Sequence, residues 1–188
     1  MDWWRLPTSR DHKRLTADPE SPMTGGMHAI SPVPGWNAAL SDKIARTIIE
    51  PTLSGMRESG MPYRGVLYLG LMLVQEKEVE PYVLEYNVRF GDPEAQVILP
   101  RILGDIVPYF CRIAARPQGE KYPLSLVGEI TRQSIEFSPR HCVCVVLASD
   151  GYPDAPSRYH GYPIAGLDDA RSLPGVRIHH AGVIRGSD

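Results

Sequence analysis

The stretch Val83-Leu84-Glu85-Tyr86-Asn87-Val88-Arg89-Phe90-Gly91-Asp92-Pro93-Glu94 constrains this chain more than any other. β-Branched and aromatic residues at Val83, Tyr86, Val88 and Phe90 predict a strand over residues 83–90. Gly91 ends it. Asp92-Pro93 then predicts a helix start, with Asp92 as N-cap and Pro93 in the first helical position. Residues two apart on a strand share a face, so Glu85, Asn87 and Arg89 are expected to project together, with Leu84, Tyr86 and Val88 filling the other side. The polar face has two readings. One is the solvated side of a half-exposed strand. The other is a site for a hard cation and the phosphates it neutralises. Mg²⁺ takes one or two carboxylates and borrows oxygens from phosphate, and an arginine fork grips phosphate through paired donors. A helix N-terminus just beyond adds free N–H groups for an anion. Alternation alone does not choose between the two.

Bulk properties narrow the class. With 188 residues the chain can build one good core or two small ones, and 43% hydrophobic with 22% charged residues is ordinary for a globular protein. A net charge of −2 lacks the basic footprint of a nucleic-acid binder. No apolar run reaches the ~20 residues of a membrane span, and MDWWRLPTSRDHKR has no apolar core of the signal-peptide kind. Three cysteines, an odd number, argue against a disulfide framework. Cys142 and Cys144 read as small core hydrophobes in a reducing, cytoplasmic setting; His141 beside them makes only a thin metal set.

Eighteen prolines and seventeen glycines cluster at 31–35, 116–123, 151–163 and 173–175, which read as connections. Residues 1–22 look irregular; Asp11-His12-Lys13-Arg14 is either solvated or an anion-contacting loop. Thr24-Gly25-Gly26 reads as a loop, either a plain turn or a nest of N–H groups. Leu40, Ile44, Ile48, Leu53 and Met56 predict a helix over 37–60, capped by Asn37 or Ser41, kinked or divided at Pro51 and ended by Gly60. Residues 63–74 predict a buried strand, joined to the 83–90 strand as an antiparallel hairpin. Residues 92–115 predict a helix interrupted at Pro100 and Pro108, followed by loop with a short amphipathic piece at 124–137. Residues 141–149 predict a strand, and 162–165 and 176–181 two more short ones. A composition shift near Arg116 divides the chain into 1–115 and 116–188.

The segments RDHKRL, MTGGMHAISP, YRGVLYLGLM, VLEYNVRFGDPEAQVILP, CVVLASDGYP and GVRIHHAG, in this order, resemble the glycinamide ribonucleotide synthetase (phosphoribosylamine–glycine ligase) family of ATP-grasp enzymes of purine synthesis. The resemblance runs from about Leu6 to about Val183, and Glu85 to Gln96 carries its most specific part. It implies an α+β fold: the second half of an ATP-grasp domain, an antiparallel sheet with helices, followed by part of a small β-rich C-terminal domain. It implies that ATP phosphorylates the glycine carboxylate and that phosphoribosylamine then attacks the acyl phosphate. Placed cations and dipoles would stabilise the charge developing on the phosphoryl oxygens. Carried over by residue, Glu85 and Asn87 match metal ligands for Mg²⁺ or Mn²⁺. Arg89 and Asp92 match catalytic positions, and Lys13, Thr24, Gly25 and Gly26 match substrate-facing ones. ATP is co-substrate, and glycine and phosphoribosylamine are the remaining small-molecule partners; neither nucleic acid nor membrane is implied.

The chain departs from the family pattern. Met23, His28 and Ile30 stand where the family has Asn, Gly and Tyr, and His28 removes backbone freedom and adds bulk. No acid lies on the strand before Glu85, so a metal would rest on Glu85, Asn87 and phosphate. The family's N-terminal portion has no counterpart here, so the sequence reads as a central-to-late piece. It is then either an enzyme part, served by a companion chain or cut from a longer ligase, or a non-catalytic truncated product or binding module whose sheet faces are left uncovered.

Overall fold

The computed structural model describes residues 3–114, 135–155 and 161–186. The chain divides into two compact units, Met1–Leu147 and Ala148–Asp188.

Unit one is built on two antiparallel sheets. Strands β1 (Arg10–Arg14), β2 (Met23–Ser31) and β5 (Cys142–Val145) form the first, in the order β1-β2-β5. Strands β3 (Tyr68–Gln75) and β4 (Val79–Asn87) form the second, the hairpin expected from the alternation. Residues 1–22 are thus more regular than expected, because Arg10, Asp11 and His12 pair with Ile30, Ala29 and His28.

Small residues set the packing of the first sheet. Ala29 pairs with Cys144 and Ser31 with Cys142. Ala29 is fully buried beneath Val97 and Ile98, with Leu6, Cys142 and Cys144 at the margin. The two cysteines act as the core hydrophobes their setting suggests. Arg101, itself buried, staples this region: its guanidinium donates to Ser31 Oγ at 2.7 Å, Ser138 O at 2.9 Å and Arg140 O at 3.0 Å.

The helical arm follows its periodicity. Asn37 caps α1 (Ala38–Ile44), its side chain accepting from the Leu40 N–H at 2.8 Å. Leu40, Ile44 and Ile48 pack on Leu69, Leu71 and Leu73, three residues two apart on β3, and on Val79. The arm is divided as Pro51 suggests, by a single π-helical stretch (Ala45–Ile49) ahead of α2 (Glu50–Glu58). Pro51 has no N–H to return to Thr47 and crowds that carbonyl, and a wider turn relieves the conflict. Gly60 ends the arm with φ +77°.

Three expectations need correction, whereas the helix over 92–115 is interrupted as expected: it is three short pieces, α3 (Ala95–Ile98), a 3₁₀ turn (Leu99–Arg101) and α4 (Val107–Ala114). Pro100 and Pro108 interrupt the run. Asp92 is not its N-cap; Glu94 holds that place, and the Ala95 N–H bonds to Gly91 O across the turn. The 63–74 strand begins only at Tyr68 and is open to solvent on one side: Met72 is 51% exposed, and Leu84 and Val88 opposite do not fill a core. Finally, the short strands at 162–165 and 176–181 are absent from the described residues. Unit two instead contains α5 (Leu167–Ser172), with Gly166 at φ +77° before it and Asp168 and Asp169 favourably placed in its first turn.

The boundary near Arg116 and most of the amphipathic piece at 124–137 lie outside the described residues. The division falls after β5, which is hydrogen-bonded into the first sheet and so belongs to unit one.

Candidate functional site

The two sheets bring a set of charged groups together. Asp11 and Lys13 are two apart on β1 and emerge on one face. The β1–β2 ladder becomes irregular between His12 and Arg14. There the Thr24 hydroxyl donates to Lys13 O at 2.8 Å and accepts from the Gly26 N–H at 3.1 Å. Lys13 Nζ lies 3.5 Å from Asp11 Oδ2 and 4.0 Å from Glu85 Oε1, joining the first sheet to the hairpin. Asp11, Lys13, Tyr68, Gly70, Glu85 and Gly91 line one cavity of about 1420 Å³.

Three glycines make this approach possible. Gly70 faces Glu85 across the hairpin, and a Cβ there would come within 2.7 Å of Glu85 Cγ. A Cβ on Gly91 would overlap the Glu94 carboxylate. Gly26, at φ +141°, lies against Pro93 and Asp11; a Cβ would sit 2.5 Å from Pro93 Cδ and 2.9 Å from Asp11 Oδ1.

Two acids are buried here. The Asp11 side chain is only 6% exposed. Burial pushes its carboxyl up, the charge of Glu94 pushes it further, and Lys13 offsets part of the rise. Glu94 is buried and accepts from the Tyr68 hydroxyl at 2.6 Å. Burial first, and then that bond to a carboxylate, push the Tyr68 phenol up. Across β1–β2 the His12 and His28 rings stack with centroids 3.9 Å apart. Burial and the neighbouring ring hold His12 below its ordinary value.

The residues expected at the site are only partly united. Glu85 and Asn87 both lie on β4, and Lys13 reaches Glu85. Arg89 does not share their row: β3 offers no partner beyond the Tyr68–Asn87 pair, so the ladder stops and the Arg89 guanidinium turns to Phe90 O at 2.8 Å. Asp92 is exposed and accepts from Gln96 Nε2 at 2.7 Å. Thr24, Gly25 and Gly26 are not a loop but part of β2, where Thr24 secures the Lys13 backbone. Asp11, Tyr68 and Glu94 were not singled out by sequence. Glu94 was visible only as the last residue of Gly-Asp-Pro-Glu, and Tyr68 only as part of an apolar run.

Glu85 and Asn87 carry the oxygen donor types that a hard divalent cation takes. Glu85 offers a half-exposed carboxylate, Asn87 an amide oxygen, and Gly70 leaves the space that the Glu85 side chain fills. Among the described residues no group of three or more His, Cys, Asp or Glu could hold a metal, so further oxygens would come from ligand or water.

Comparison with known proteins places the chain in a family. The family model described as "Phosphoribosylglycinamide synthetase, ATP-grasp (A) domain" matches residues 1–95. The chain is 41% identical over 177 residues to the trifunctional purine biosynthetic protein adenosine-3 of Gallus gallus, covering 94% of this chain and 16% of that protein. It is 38% identical over 180 residues to the phosphoribosylamine–glycine ligase of Rhodopirellula baltica, covering 96% and 38%. The ligase of the same name from Vigna unguiculata is 39% identical over 181 residues, covering 94% and 52%. Among solved structures, the phosphoribosylamine–glycine ligase of Thermotoga maritima superposes with a TM-score of 0.58 at 38% identity, covering 80% of this chain and 34% of that one. The chain thus spans from 16% to 52% of the length of these curated relatives. The matched family, the relatives and the shared antiparallel architecture lead to one conclusion: this chain belongs to the phosphoribosylglycinamide synthetase family of ATP-grasp proteins.

Proposed function

We propose that this chain forms the metal- and substrate-facing part of an ATP-dependent carboxylate–amine ligase that joins glycine to phosphoribosylamine. The convergence of Lys13 and Glu85 from two separate sheets onto one cavity carries the reading. A carboxylate and an ammonium held 4.0 Å apart at a cleft suit a ligand that brings both a cation and an anion, as a metal-bound nucleotide does.

Glu85 and Asn87 would hold Mg²⁺ or Mn²⁺, which when bound supplies charge neutralisation to phosphate oxygens. Lys13 presents its ammonium to the anionic side of the same cleft. Thr24 and Gly26 fix the Lys13 backbone and let β2 approach Pro93. Arg89 and Asp92, exposed on the turn after β4, would face substrate carboxylate and amine respectively. Residues 116–188 would contribute a linker and part of a small C-terminal domain, a reading supported by similarity that covers 94–96% of the chain. Adenine would lie against the part of the family ligases that falls outside the stretch matched here, and the enzyme would work in the cytoplasm.

The test is glycine- and phosphoribosylamine-dependent release of ADP, measured with this chain alone and with the N-terminal portion of a family ligase added. Turnover is expected only in the mixture and is expected to fall at least tenfold for Glu85→Ala. Full turnover by the chain alone would refute the need for a companion. No turnover in either case, with both parts folded and associated, would favour a binding module instead.

A further inference from the structure

Lys13 stands where two carboxylates converge, and the two contacts differ in kind. Asp11 is buried at 6% exposure, paired to Ala29 and backed by Gly26, so it is a fixed anchor. The Glu85 side chain is 50% exposed and Lys13 42%, so the 4.0 Å contact between them is the loose one. A lysine ammonium on a flexible four-carbon stem can leave one carboxylate while keeping another.

We propose that Lys13 is a place-holding counter-ion for Glu85: its ammonium neutralises that carboxylate while no divalent cation is bound, and yields it, tethered by Asp11, when the cation arrives. The inference rests on the reading of Glu85 as a cation ligand. Its physical basis is competition. A divalent ion and an ammonium repel each other, so one carboxylate oxygen cannot serve both at close range without a cost. The exchange moves no proton and breaks no covalent bond. Lys13 is then already beside the cleft, free to meet the anion that accompanies the metal.

The consequence runs opposite to that of a simple supporting residue. Removing Lys13 should tighten metal binding, because the ion no longer displaces a rival. For a solvent-screened pair the gain is roughly two- to fivefold, and it should shrink at high salt. The measurement is Mn²⁺ titration by electron paramagnetic resonance on the whole chain. Lys13→Met, Lys13→Gln, Glu85→Gln and Lys13→Met/Glu85→Gln are compared with Arg10→Gln as a charge control, since Arg10 is an exposed cation on the same strand. Tighter binding for both Lys13 variants, lost in the Glu85→Gln background and absent for Arg10→Gln, supports the place-holder. Unchanged, weaker or undetectable binding in the Lys13 variants overturns it, as does an equal gain in Arg10→Gln. If Glu85→Gln weakens binding while the Lys13 variants gain nothing, the place-holder alone fails. If Glu85→Gln leaves affinity unchanged, the ligand reading of Glu85 fails with it.

Discussion

Arg101 should be among the most sensitive positions in the first unit. The residue is 8% exposed, and its guanidinium donates to three oxygens that come from two distant parts of the chain. Arg101→Met keeps much of the stem's packing but strips Ser138 O, Arg140 O and Ser31 Oγ of their donor. Two of the three acceptors are in buried bonds and the third is part-buried, so at about 1–1.5 kcal/mol for each bond lost, the low end for a charged donor, the substitution should destabilise the unit by roughly 3–5 kcal/mol. At about 2–4 °C per kcal/mol for a chain of this size, the melting temperature should fall by roughly 6–20 °C. Trp3, Trp4 and Trp36 all belong to the first unit, so tryptophan fluorescence during urea and thermal unfolding reports on it selectively. Arg101→Lys should recover less than half of the loss, because a point charge cannot serve three divergent oxygens. Ser31→Ala should cost less in the Arg101→Met background than alone, since the two residues share a bond. A melting shift below about 2 °C for Arg101→Met would refute the staple.

Two further predictions follow from the buried acids. The fold holds the Asp11 proton more tightly than the unfolded chain does, so the stability this group contributes is present below the ordinary carboxylate value near pH ~4 and is lost as pH rises through its raised native value. Asp11→Asn should therefore raise the melting temperature at pH 7, with the gain fading toward pH 4; a gain larger at pH 4 than at pH 7 would contradict the sign. Tyr68→Phe leaves the Glu94 carboxylate without its 2.6 Å donor and should cost about 1–3 kcal/mol in urea unfolding. Because the Tyr68 phenol is also pushed up, wild-type stability should decline above about pH 10 and the variant's should decline less.

What could be read from sequence was local. The alternation of β3 and β4, the Asn37 cap, the stop at Gly60 and the disruptive Pro51 are each written within a few neighbouring residues. The shared strand of the two candidate ligands, Glu85 and Asn87, was legible for the same reason. Arg89 was misplaced because strand length depends on the partner, and β3 begins only at Tyr68. Gly25 and Gly26 suggested a loop because glycine usually marks one. Gly26 is needed within β2 for the close approach of Pro93, some sixty-seven positions away in sequence, which no local pattern discloses. The Tyr68–Glu94 bond spans twenty-six residues and was hidden for the same reason.

The division into two sheets has a mechanical consequence. Lys13 hangs from one sheet and Glu85 from the other, with Tyr68 and Glu94 as a second stitch across the same seam. A ligand that bridges Lys13 and Glu85 therefore does work on the width of the seam, and the seam's width in turn sets the ligand's affinity by the same free energy. Leu40, Ile44 and Ile48 pack on Leu69, Leu71 and Leu73 and so bear on the position of the hairpin. Trimming Leu40 or Ile48, neither of which lines the cavity, should therefore change binding at the seam.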